Sequence, residues 1–365
     1  MKYRKCPKNG EQISVLGLGG NYLSTLGEEE GVAIIRTAYE RGVNFFDLAT
    51  SEAETFPLMG KALADVRENI RYQIHFGADY RNGTYARTYK LEDIKEAVAW
   101  QLKQLQTDYI DYGMIHCIDE DRDWRAFLED GILDYMLELK EQGVIRHLGA
   151  STHTPRMANL MMDAVDLDML MFSINPAYDD HHGRYALGSA DEREALYRRC
   201  EVEGVGISVM KPFSAGMLFD GEKSPFGKPL TLYQCVQYAL DKPAVVTVLP
   251  GFTTVKELEE YLSFETASAE ERDYSILEEM TVKDVEGRCL YCSHCQPCPA
   301  GIDIALVNKY YDIVLSGDEQ ARSHYLGLEK TASYCIACGS CNQRCPFHVD
   351  QLARMKEMAK YFGEI

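Results

Sequence analysis

Residues 91–116 read LEDIKEAVAWQLKQLQTDYIDYGMIH. Over 91–106, Leu91, Ile94, Val98, Leu102 and Leu105 recur every three or four positions with charges between them, the period of a helix with one apolar side. Past Thr107 the pattern changes to IDYGMIH (110–116), a short run of strand character. The alternation repeats along the chain. The other runs are ISVLGLG (13–19), VNFFDLA (43–49), IRYQIHF (70–76), IRHLGA (145–150), MLMFSIN (169–175), VGISVM (205–210) and VVTVLP (245–250), and helical stretches such as EEEGVAIIRTAYERG (28–42) lie between them. Eight strand–helix units over about 270 residues are what a closed (β/α)8 TIM barrel requires, because parallel strands need helical crossovers and cover on both faces. An open doubly wound sheet competes with this, but no Gly-x-Gly-x-x-Gly follows the first strand to favour it.

Barrel active sites form at the C-terminal ends of the strands. Polar residues gather there: Asp47 near the end of the second strand, His75 the third, His116 the fourth, Asn175 the sixth, with Lys211 after the seventh. Each alone reads equally well as a cap or loop residue; five at equivalent depth point to a site. The polar loop Asp179-Asp180-His181-His182 after the sixth strand reads as solvated chain or substrate contact more readily than as a metal site.

The 365 residues are 46% apolar and 26% charged, an ordinary globular composition, and 38 basic against 57 acidic residues give a net charge of −19. Such a field repels phosphate backbones and anionic lipid, which argues against nucleic-acid and membrane-surface roles. No uncharged run reaches the roughly 18 residues of a membrane span, and the opening MKYRKCPKNGEQ lacks a signal-peptide core. The expectation is a cytoplasmic protein, in which the twelve cysteines are read for metal or redox chemistry and not for disulfides.

Eight of those cysteines fall between 289 and 345, so a boundary is placed near 283, separating 1–282 from 283–365. They form Cys289-x2-Cys292-x2-Cys295-x2-Cys298-Pro299 and Cys335-x2-Cys338-x2-Cys341-x3-Cys345-Pro346. Three closely spaced thiolates fit three corners of a cubane, while the cysteine before proline reaches elsewhere. In two-cluster ferredoxins that fourth thiol serves the other cluster, which predicts Cys289, Cys292, Cys295 and Cys345 on one 4Fe-4S cluster and Cys335, Cys338, Cys341 and Cys298 on the second. Zinc is the competing reading, but structural zinc normally takes two separated ligand pairs. Cys6, Cys117, Cys200 and Cys235 read as small buried hydrophobes, with a chemical role for Cys117 the lesser alternative because it directly follows His116 at the strand-end site. Tyr310 and Tyr311, between the two runs, read as packing around the clusters.

The stretches GVNFFDLA, LQTDYIDYGMIH, GVIRHLGAS, FSINP, GVGISVMKPFSAGML and VLPGFTT, followed by CLYCSHCQPCPAGIDI and CIACGSCNQRCPFHV, resemble the aldo-keto reductases, specifically the branch with a fused C-terminal α-helical ferredoxin-like domain carrying two 4Fe-4S clusters. The resemblance implies nicotinamide-dependent carbonyl reduction by an aspartate, tyrosine, lysine and histidine. Asp47 and His116 stand where the aspartate and histidine belong. Glu52, in the register fixed by Gly60, stands in the place of the proton-donating tyrosine, and His75 most simply matches the lysine, although a two-residue shift would put Gly77 there. An ionised Glu52 cannot donate a proton, so His75 or His116 becomes the better acid.

The resemblance also implies cofactor contacts at Ser151, at Lys211, Ser214 and Gly216 after the seventh strand, and at Gly251, Thr253 and Thr254 after the eighth, where backbone N–H groups and a helix N-terminus cradle phosphate. Glu257 replaces the arginine that reads a 2′-phosphate, and Met171 and Met210 replace the groups that hold nicotinamide; NADH is favoured over NADPH. A flavin is the alternative, because clusters pass single electrons and nicotinamide passes hydride. The function read from the sequence is a reductase of a carbonyl or related unsaturated small molecule, fed by an external ferredoxin or flavoprotein. Two other readings stay open: a barrel that has lost hydride chemistry and serves as a binding or electron-transfer module, and clusters that act only as structural staples.

Overall fold

The computed structural model describes residues 1–364 apart from 22, 24–26, 181–185, 215, 223, 253, 280–286, 288, 290–294, 316–319 and 346–347. All eight runs named above contribute strands. They are β1 (Leu18–Gly19), β2 (Phe45–Asp47), β3 (Arg71–Phe76), β4 (Ile110–Ile115), β5 (Ile145–Ser151), β6 (Met169–Ser173), β7 (Gly206–Met210) and β8 (Val245–Val248). Each pairs in parallel with its neighbour in chain order. The ring closes where Gly17 N–H donates to Val248 O at 2.9 Å, Gly19 N–H to Pro250 O at 2.9 Å and Val248 N–H to Val15 O at 3.1 Å. The strands are short and almost wholly buried because helices cover their outer side while side chains fill the inside. A hairpin pairing Tyr3–Lys5 with Gln12–Ser14 precedes the ring, and Cys6 and Ile13 pack with Phe45, Tyr112, Met114 and Met169.

Past the barrel the chain forms helices Ile304–Leu315, Gln320–Leu326 and Gln351–Tyr361, which share a separate apolar core of Ile304, Val307, Tyr311, Tyr325, Met355, Met358 and Phe362. The boundary expected near 283 lies outside the described residues. Among the described residues, no helix is long and apolar enough to cross a membrane.

Barrel packing leaves little slack between helices. Gly60, in helix Thr55–Leu63, faces helix Leu91–Leu105 so closely that a Cβ would stand 2.2 Å from the Gln104 carbonyl oxygen. Backbone on both sides must move to admit a methyl group. Gly60→Ala is expected to cost about 1–3 kcal/mol, read as a lower urea midpoint with an unchanged denaturant slope.

Candidate functional site

A cavity of about 780 Å³ opens at the C-terminal ends of the strands, and Asp47, His75, His116, Cys117, Ser151 and His153 are on its wall. Its far side comes from the cysteine-bearing segment, through Tyr310, Ile313, Gln320, Ala321 and His324. Tyr310 and Tyr311 both belong to the apolar core that contains Cys295 and Cys341; in addition the Tyr310 hydroxyl donates to Asp119 Oδ2 at 2.9 Å, while Tyr311 packs against Tyr361 and Phe362.

Side chains at the strand ends form one hydrogen-bonded row. Asp47 Oδ1 accepts from Gln73 Nε2 at 2.7 Å and lies 2.8 Å from His75 Nε2. His75 Nδ1 is 3.1 Å from His116 Nδ1, and the Tyr85 hydroxyl stands 2.8 Å from both His116 Nε2 and His324 Nε2. His324 Nδ1 ends the row 3.8 Å from Cys117 Sγ. With Asp47 as acceptor the proton positions follow in turn. His75 donates from Nε2 to Asp47, His116 from Nδ1 to His75, Tyr85 from its hydroxyl to His116, His324 from Nε2 to Tyr85, and Cys117 from its thiol to His324. Both nitrogens of all three rings are thus engaged. Burial, with His75 and His324 as neighbours, holds His116 well below the usual imidazole value, and burial does the same to His324. Both rings are neutral at neutral pH, which removes the imidazolium acid the sequence suggested for His116.

Beside this row lies a second cluster. Asp119 Oδ1 accepts from Thr152 Oγ1 at 2.9 Å and from the His153 N–H at 2.7 Å, and Oδ2 lies 2.8 Å from His153 Nδ1. Burial by itself would raise the Asp119 carboxyl, but His153 and Lys309 outweigh it and hold it well below the usual range. Burial pushes His153 down to about 4 and the buried Lys309 down to about 7. Cys117 has φ 49°, a left-handed backbone uncommon for cysteine, and its N–H donates to Ser151 Oγ at 2.8 Å. Thr154 follows as the cap of helix Pro155–Ala164, its hydroxyl accepting from Met157 N–H, which fixes the turn that carries His153.

The Aldo/keto reductase family model matches residues 15–230, more than half of the chain. The chain belongs to the aldo/keto reductase family. It is 25% identical over 311 residues to the uncharacterized oxidoreductase YqkF of Bacillus subtilis, covering 78% of this chain and 98% of that one. It is 22% identical over 330 residues to L-galactose dehydrogenase of Arabidopsis thaliana, covering 78% and 93%. The holo form of aldo-keto reductase AKR11C1 from Bacillus halodurans shares the fold, with a TM-score of 0.59 at 24% identity over 76% of this chain and 96% of that one. Oxidoreductase chemistry at the strand ends is what this membership supports.

Among the residues proposed for a family cofactor, Ser151, Lys211, Gly216 and Gly251 line the cavity, as do Met171 and Met210. Ser214 is buried in the same turn, and Thr254 caps helix Val255–Leu262 by accepting from the Glu257 N–H. Thr253 lies outside the described residues. Glu257 and Glu260 both stand on the cavity rim. Glu52 is absent from the wall among the described residues; its backbone bridges to Thr84, and burial together with Glu54 raises its carboxyl. Asn175 is buried, donating to the Lys211 carbonyl at 2.9 Å. Asp179 takes Arg193 at 2.8 Å and the Tyr197 hydroxyl at 2.8 Å, while His181 and His182 of the same loop lie outside the described residues.

Of the cluster cysteines, Cys298, Cys335, Cys338 and Cys341 line one small pocket walled by Ile302, Ile304 and Met355. Cys289 packs with Cys345 and Val349, and Cys295 is buried in the C-terminal core; Cys292 is not described. Sequence reading missed Tyr85, Asp119, His153, Lys309 and His324. Asn82-Gly83 was a usable signal for Tyr85, since that dipeptide marks a tight turn and here sits between Ala78–Asp79 and Ala86–Arg87, which pair as a hairpin.

Two outcomes follow from this packing. Tyr85→Phe strips one partner from each of two buried imidazole nitrogens and should cost roughly 1–3 kcal/mol, while pairing it with His324→Phe should cost less than the two single changes added, as a double-mutant cycle of urea midpoints will read. His116 and His324 have folded-state values below their unfolded 6.5, so the unfolded chain binds more protons under that pH. Stability is full above about pH 6.5 and falls as the solution is acidified below it, with a shallower fall expected in His324→Gln.

Proposed function

We propose that this protein is an iron–sulfur oxidoreductase that reduces a carbonyl or related unsaturated small molecule in the barrel cavity. The observation that carries this reading is the shared wall. The helices between the two cysteine runs place Tyr310 and His324 directly on the pocket, and Arg87 and Arg122 both donate to the Gly327 carbonyl of the same segment. Cys335, Cys338, Cys341 and Cys298 would hold one 4Fe-4S cluster and Cys289, Cys292, Cys295 and Cys345 the other. The common pocket of the first four thiols, and the Cys289–Cys345 contact, agree with that crossed set. When bound, such clusters supply single electrons, received here from an external ferredoxin or flavoprotein.

The chain's own residues shape the chemistry. Burial of Asp47, His75, His116, Tyr85 and His324 strengthens the charge interactions among them. In the register of the family resemblance Glu52 and His75 stand for its tyrosine and lysine, and in this reading proton supply falls to the row of side chains, where the Tyr85 phenol meets His116. Its donors all point toward Asp47, so a proton entering at Cys117 can pass through His324, Tyr85, His116 and His75 without any ring leaving its place. Lys211, Gly251 and the helix capped by Thr254 suit the phosphates of a dinucleotide, and Glu257 and Glu260 oppose a 2′-phosphate, favouring NADH over NADPH. A flavin fits the need to join one-electron and hydride chemistry.

A second reading, a barrel that binds or relays electrons without hydride transfer, is favoured by the engagement of both nitrogens in His75 and His116. Anaerobically purified protein should carry about eight iron and eight acid-labile sulfide per chain, and titration with NADH, NADPH and FMN should show one of them bound. Zinc in place of iron with sulfide missing would falsify the cluster assignment. Failure of all three redox ligands to bind leaves the second reading.

A further inference from the structure

We infer that Cys117, Asp119 and His153 form a mononuclear transition-metal site beside the cavity, which Cys117 and His153 line, separate from the two cysteine runs. All three are buried, and one ligand atom from each lies within 4.8 Å of the others. The Cys117 sulfur stands 3.8 Å from Asp119 Oδ2 and 3.9 Å from His153 Nδ1. Metal–sulfur and metal–nitrogen bonds of about 2.3 and 2.0–2.1 Å at a tetrahedral angle separate sulfur and nitrogen by roughly 3.5 Å. The thiol–imidazole and thiol–carboxylate edges are therefore within a few tenths of an ångström of ligating geometry. The Asp119–His153 edge, 2.8 Å across a shared proton, opens by about half an ångström when an ion replaces that proton.

The surroundings are those a metal site needs. Thr152 Oγ1 and the His153 N–H occupy Asp119 Oδ1, and the Tyr310 hydroxyl binds Oδ2, so the carboxylate is oriented before any ion arrives. The left-handed backbone at Cys117, pinned by Ser151, aims the thiol at the other two ligands. Arg87 and Lys309 face the same group and oppose a cation, but Asp123 lies 3.3 Å from Arg87, and binding forms a thiolate that offsets Lys309. One thiolate, one imidazole and one carboxylate select a borderline ion such as Zn²⁺ or Fe²⁺ over Mg²⁺ or Ca²⁺. Cys117 and His153 line the cavity with Asp119 buried beside them, and a three-ligand set next to a cavity leaves a coordination position for a small oxygen-donor ligand, the arrangement of catalytic and not of structural zinc. Metal binding takes the Cys117 thiol proton and so ends the proton row at His324 while an ion is bound; the use of the ion to polarise a carbonyl oxygen rests on the reductase reading.

Cobalt(II) is the probe, added anaerobically to the full chain after dialysis against EDTA. One equivalent should bind with a near-ultraviolet thiolate-to-cobalt band and the visible absorption of tetrahedral cobalt. Cys117→Ser should remove the thiolate band, His153→Gln and Asp119→Asn should each weaken binding roughly 10-fold or more, and Cys338→Ser should leave the band in place. Circular dichroism of every variant separates lost ligation from lost folding, and should Cys117→Ser fail to fold, the His153→Gln titration decides. Absence of the band in the parent protein, or a band that survives Cys117→Ser and disappears in Cys338→Ser, overturns the assignment.

Discussion

Asp119 carries a carboxylate into a place almost without water, and a buried charge of that kind persists only where several donors meet it. Thr152, both nitrogen donors of His153 and Tyr310 meet it here, with Lys309 close by. Those partners come from the loop after β5 and from helix Ile304–Leu315, while Asp119 itself follows β4. One ion therefore ties two barrel loops to the cysteine-bearing segment. Because breaking up such a set leaves a charge unpaired in low dielectric, the three pieces hold their relative positions as a unit.

Dryness also explains why the pocket's titrating groups depart from solution behaviour. His116, His153 and His324 lose their positive forms, and the Cys117 thiol and Tyr85 phenol are pushed up, all chiefly through burial. Neutral groups in hydrogen-bonding register can exchange protons along a row without paying for a solvated ion at each step. The same burial makes direct acid catalysis by His116 unfavourable, since its imidazolium form is the one penalised. The chemistry of the pocket is thus set less by which residue types are present than by how little water reaches them.

The fold was legible because buried parallel strands read as continuous apolar runs, and ISVLGLG through VVTVLP mark all eight. Asp47, His75 and His116 were legible too, since the end of a barrel strand is a position that sequence can locate. The rest of the site was hidden by chain distance. His324 is 239 residues from Tyr85, and Tyr310 is 191 from Asp119, and no periodicity predicts which side of a C-terminal helix docks on a barrel. Tyr310 and Tyr311 show this well: adjacent and alike in sequence, both join the C-terminal core, yet the Tyr310 hydroxyl is the one that reaches Asp119 across to the barrel. Glu52 stands off the cavity lining among the described residues, because a register along the chain fixes a position but not the direction of a side chain in a loop.

The charge distribution gives the last constraint. A chain with net charge −19 concentrates basic side chains at the pocket: Lys211 on its wall, with Arg87 and Lys309 behind the Cys117–Asp119 pair. Fields inside a low-dielectric recess are local, so an acidic exterior can repel polyanions while this recess still receives a small electron-rich ligand. Glu257 and Glu260 on the same lining add negative charge opposite those basic groups, so the recess carries both signs within a short distance. Tyr310 and His324 of the cysteine-bearing segment stand on the pocket's own wall, so any change in the charge of that segment acts directly on the groups across the recess.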